Sequence, residues 1–108
     1  MHEAEQHRQF VKRLHMLIHS ELAEDERAEQ ARSAVLSYAA ALNEAAATAP
    51  QGELREGAYI ELHLTKAQNW LVAWRSLSDP IDPPTARVCD TAMRALDDQR
   101  RRLHARAA

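Results

Sequence analysis

Cysteine occurs once in the chain, at Cys89, and glycine twice, at Gly52 and Gly57. A single thiol excludes an intrachain disulfide framework and leaves a thiolate-held zinc centre without its ligands. Two glycines are too few for a phosphate-cradling loop, which needs several where backbone approaches ligand. Aromatic residues are only 5% of the composition, so the core has first claim on each of them. Long apolar runs are also missing. The most apolar window, around Trp70 to Trp74, falls well short of the roughly 20 residues that span a bilayer. The opening residues Met1-His2-Glu3-Ala4-Glu5 lack the basic-then-apolar order of a secretory signal. These absences set the expectation of a cytoplasmic protein with no membrane contact and no cofactor. A net charge of −2 argues neither for wholesale nucleic-acid binding nor for a solvating acidic tail.

What is present is the composition of a folded domain, 45% apolar and 28% charged over 108 residues. That length holds one core, so residues 1–108 are expected to form a single helical domain. Both glycines fall just after Pro50, and Pro80, Pro83 and Pro84 cluster within residues 78–84. Those two places are the expected loops.

The first piece runs to Ala49 without Gly or Pro. Phe10, Val11, Leu14, Leu17, Ile18 and Leu22 form one stripe at helical spacing, and Ala28, Ala31, Val35, Tyr38, Leu42 and Ala45 form another. A continuous rod would carry Glu21 and Glu24 into the core. The acids Glu24, Asp25 and Glu26 suit a helix N-terminus instead, so a break is expected there. The second helix is rich in alanine, and Trp70, Leu71, Trp74 and Leu77 of the middle piece are expected to fill the space beside it.

The middle piece carries two periods. Ile60, Leu64, Ala67, Leu71 and Trp74 make a helical stripe, with Glu61, Gln68 and Arg75 at seven-residue steps as its wet edge. Ile60, Leu62 and Leu64 also alternate with Glu61, His63 and Thr65 at strand period. The continuous helix is the preferred reading, because a lone strand finds no partner in this chain. In the last piece Asp82 is the expected N-cap and Pro83 the first helical residue. Cys89, Met93, Leu96 and Leu103 face inward, and Asp90–Arg94, Asp97–Arg101 and Asp98–Arg102 set an acid four residues before a base. The fold expected is an all-α bundle of about four helices.

Candidate chemistry is sparse. His15 and His19 share one side of the first helix, but the chain has no Glu-x-x-His or His-Glu-x-x-His step to complete a metal site. Cys89 lies on an inward stripe and reads as a small core residue. The basic end, residues 99–108, holds Arg100, Arg101, Arg102 and Arg106 and no acid. With Arg94 these make a candidate phosphate-binding face. Helix macrodipole and i,i+4 pairing account for the same arginines without a ligand.

Three functional readings follow, in descending order. The first is a helical protein-interaction or regulatory module, not an enzyme, acting as a homodimer. The middle helix would present one apolar face through Leu54, Ala58, Leu62 and Val72 and another through Ile60, Leu64, Leu71 and Trp74, which exceeds the single stripe a bundle helix buries. Leu62, Val72, Trp70 and Trp74 are its interface candidates. The second is a nucleic-acid-binding regulator using Arg94, Arg100, Arg101, Arg102 and Arg106. If residues 58–64 were a strand followed by two helices, the order would be similar to that of ribbon-helix-helix repressors, whose paired strands enter the major groove of DNA. No Lys or Arg lies within 58–64 to meet phosphates there. The third is a phosphate-cleaving enzyme: Arg8 to His15 and Arg13 to His19 are spaced in a way loosely similar to the Arg and His that some helical ribonucleases carry on one helix.

Overall fold

The four segments that the breakers delimit are four helices in a computed structural model that describes residues 2–48, 56–77 and 83–107. Helix α1 spans His2–Ile18, α2 Glu24–Thr48, α3 Glu56–Leu77 and α4 Pro83–Ala107. They pack as a four-helix bundle in which α2 and α4 each touch all three other helices. The expected loops at 50–55 and 78–82, with the Asp82 cap and Leu54, lie outside the described residues.

The α1–α2 break falls where the acidic segment requires it. Ser20 Oγ donates to the Leu17 carbonyl at 2.7 Å and closes the end of α1. From the first turn of α2, Arg27 Nη2 donates to the carbonyls of Ser20 at 2.9 Å and Leu22 at 3.1 Å. A helix leaves its last carbonyls unpaired, and here the guanidinium gathers those of the connection. Glu24, Asp25 and Glu26 then occupy the first turn of α2, where the exposed amide dipoles favour negative charge.

The strand reading of 58–64 is overturned, and with it the ribbon-helix-helix order. Strand period would bury Ile60, Leu62 and Leu64 together. Ile60 and Leu64 are buried while Leu62 is 41% exposed, and the second buried pair is Tyr59 with His63. Beyond its end turns a helix pairs its backbone groups within itself, which an unpaired strand does not.

The core is built on the expected stripes, except that Leu22 is exposed and that Ala34, Tyr59, Val88 and Ala92, which lay on none of them, are buried. Leu14 of α1, Val35 and Leu42 of α2, Leu64 and Leu71 of α3, and Val88, Cys89 and Leu96 of α4 are fully buried. Ala31, Ala34, Ala39 and Ala46 line the inner side of α2 and let its neighbours approach closely. Phe10 stacks on Tyr38 with ring centroids 4.8 Å apart, joining α1 to α2. The Tyr38 hydroxyl donates to the His63 carbonyl of α3 at 3.4 Å. Burial, and then the neighbouring Tyr59, push the Tyr38 phenol up to about 12.

Trp70 and Trp74 sit elsewhere than beside the alanines of α2. Their rings lie 4.9 Å apart and meet α1: His15 approaches Trp74 at 4.6 Å, and His7 approaches Trp70 edge-on at 6.0 Å. Leu71, one position on, faces the core in their stead. Burial, and then the charge of Lys66, hold the His7 imidazole below its ordinary value.

Candidate functional site

The buried side of α3 centres on Ile60, Leu64, Ala67 and Leu71. Because a helix turns about 100° per residue, three further sides follow. One carries Trp70 and Trp74 toward α1. A second carries Glu61, Gln68 and Arg75. The third faces solvent with Ala58, Leu62, Thr65, Lys66, Asn69, Val72, Ala73 and Ser76.

The second side is a partly wet edge, as expected from the sequence, and it is also a polar seam against α4. Arg100 donates to Glu61 Oε1 through Nη2 at 2.9 Å and Nε at 3.2 Å, and its Nη1 reaches Gln68 Oε1 at 3.0 Å. His104 Nε2 lies 3.0 Å from the second Glu61 oxygen. Farther along, Arg75 pairs with Asp90 at 3.3 Å. Burial alone would raise the Glu61 carboxyl, but the Arg100 hydrogen bond and charge, followed by those of His104, hold it below its ordinary value. The signal in the sequence was the seven-residue spacing of Glu61, Gln68 and Arg75, which keeps a stripe aimed at one neighbouring helix.

This seam reassigns the arginines of the basic end. Arg100 is half-buried and committed to Glu61. Arg101 and Arg102 are exposed and pair with Asp97 at 2.9 Å and Asp98 at 3.3 Å, as their spacing implied. The expected Asp90–Arg94 pair does not form, since Asp90 turns to Arg75, and Arg94 stands exposed. The side chain of Arg106 lies outside the described residues.

The histidine and arginine pairs of α1 are also drawn apart. Arg13 donates to Ser37 Oγ at 3.2 Å and Ser33 Oγ at 3.4 Å on α2, while His15 leans on the tryptophans of α3. Arg8 pairs with Glu5 at 3.9 Å. Among the described residues no three His, Cys, Asp or Glu converge as metal ligands. Cys89 is fully buried, and no helix of the described residues is long and apolar enough to cross a membrane.

The interface candidates divide accordingly. Leu62 and Val72 stand on the solvent side of α3, 41% and 51% exposed, whereas Trp70 and Trp74 are partly buried against the core. Leu62 and Val72 are ten residues apart, roughly 15 Å along the axis. The exposed residues between them include Lys66 and Asn69, so the two do not form one continuous apolar patch. Of the eight residues on this side Lys66 alone is charged; exposed Arg75 and partly exposed Glu61 stand at its α4 edge, each paired with a residue of α4. Comparison with protein-family models, with curated proteins and with solved structures finds no match to this chain.

Proposed function

We propose that the protein is a helical interaction module that works as a homodimer, with the solvent side of α3 as its contact. The observation that carries this reading is the near-chargeless outer side just described. A surface helix ordinarily shows charged and polar residues to water, and depletion of charge marks the centre of protein interfaces. The spacing of the residues supports a particular arrangement. If two α3 helices lie antiparallel about a twofold axis level with Ala67, Leu62 meets the partner's Val72. Thr65 meets the partner's Asn69, and Ala58 meets the partner's Ser76. The Leu62–Val72 pairs are apolar on both sides, the Thr65–Asn69 pairs polar on both sides and the Ala58–Ser76 pairs small, and each recurs twice about the axis as an isologous contact demands. Lys66 lies at the edge of this side nearer the tryptophans, one helical position away from the line that carries Leu62, Asn69 and Ser76. Trp70 and Trp74 anchor α3 from behind and serve the interface by holding the helix rigid.

The register has a direct test. Carrying Leu62→Cys and Val72→Cys together, the protein should form an intermolecular disulfide on mild oxidation. Leu62→Cys alone should not, because the axis puts the two Leu62 positions ten residues, about 15 Å, apart. Buried Cys89 does not compete. Equal crosslinking of the single and double variants, or none in either, would refute the arrangement.

A further inference from the structure

A groove of about 920 Å³ runs between α2 and α4. Arg32 and Leu36 wall it on α2, and Arg87, Thr91, Arg94 and Ala95 on α4. Its acids are already engaged: Asp97 with Arg101, Asp98 with Arg102, and Asp90 with Arg75 of α3. Arg87 is engaged as well, by Glu24 at 3.6 Å and Asp25 at 3.8 Å. Arg32 and Arg94 are different, for neither has an anionic partner among the described residues.

Their relative placement follows from the Arg87 contacts. These join the first turn of α2 to the start of α4, so the two helices run parallel. Seven residues beyond Asp25 is Arg32, and seven beyond Arg87 is Arg94. Two full turns on, positions 32 and 94 come level on the α2 and α4 walls of the groove, which both side chains line. Facing like charges repel, and a dianion between them converts that repulsion into two charge-assisted contacts. The planar five-donor fork of arginine suits the tetrahedral oxygens of phosphate.

We propose that this groove binds a small phosphate monoester. The phosphate sits between Arg32 and Arg94, and the organic part lies against Leu36 and Ala95. The volume is within the range of small-molecule sites. An extended polyanion is a poorer fit, because Arg87, Arg101 and Arg102 are already paired and leave it only Arg32 and Arg94 along the groove. The site is independent of the α3 pairing.

Calorimetric titration of the full chain with phenyl phosphate tests it, with inorganic phosphate and an unphosphorylated oligonucleotide as separate arms. Saturable one-site binding of phenyl phosphate is expected, tighter than that of inorganic phosphate. Arg32→Ala and Arg94→Ala should each weaken it at least about tenfold, while Arg8→Ala on α1 should leave it unchanged. Arg94→Lys, which keeps charge but loses the fork, should fall between. Circular dichroism checks that each variant is folded, as expected for exposed positions. Absence of saturation by about 10 mM would overturn the proposal. So would an equal loss in Arg8→Ala, inorganic phosphate binding as tightly as the ester, or tighter binding of the oligonucleotide.

Discussion

Leu71 shows how far a single residue can be read. It lies at the centre of the Ile60–Trp74 stripe in the sequence and is fully buried in the bundle. Truncating it to alanine removes the branched end of the side chain, about three carbon atoms, from a close-packed interior that relaxes only partly. Leu71→Ala is therefore expected to cost roughly 2–5 kcal/mol, read from urea unfolding. A loss no larger than that of Ala73→Ser on the exposed side would contradict the core placement. Its neighbours were harder to place. Trp70 and Trp74 announce buried area by their size, but which helix receives them depends on rotamer and helix crossing. Sequence spacing sent them to the alanines of α2, and the structure sends them to His7 and His15.

Elements were legible where breakers and period agreed. Glu24–Glu26 mark the start of α2, Pro83 opens α4, and the 3.6-residue stripe decides α3 against a competing period of two. Pairing between elements was less legible, because a charged residue beside a stripe looks the same whether it meets water or another helix. Glu61 is such a residue, and its clasp on Arg100 and His104 gives α3 and α4 a pH-dependent link. Its carboxyl titrates below the ordinary value in the fold. The stability it contributes is thus fully present above the unfolded-state value and lost as pH falls through the folded one. Glu61→Gln should lower stability by about 1–3 kcal/mol near neutral pH. That difference should shrink as pH falls through the lowered folded-state value of the carboxyl. A deficit that is constant across this range would mean that the carboxylate charge plays no part in the seam.

At the scale of the whole molecule, the bundle buries one stripe from each helix and leaves one side of α3 with little reason to face water. The fold class could be read from composition and period. The candidate interface could be read only in part: Leu62 and Val72 were identifiable as excess apolar residues, but their separation by Lys66 and Asn69 emerges only once the helix is placed. The groove was legible only on its α4 side, where Arg94, Arg101 and Arg102 stood among the phosphate-binding candidates; its α2 wall was not, because the partners of Asp90 and Arg87 lie on other helices. The central claim is that two copies join through that side of α3. Light scattering coupled to size exclusion, at low micromolar concentration, measures it directly. The account predicts a mass of twice the 12.2 kDa chain, reverting to a single chain in Leu62→Glu with its helix content intact. A parent protein that elutes at 12.2 kDa would contradict it.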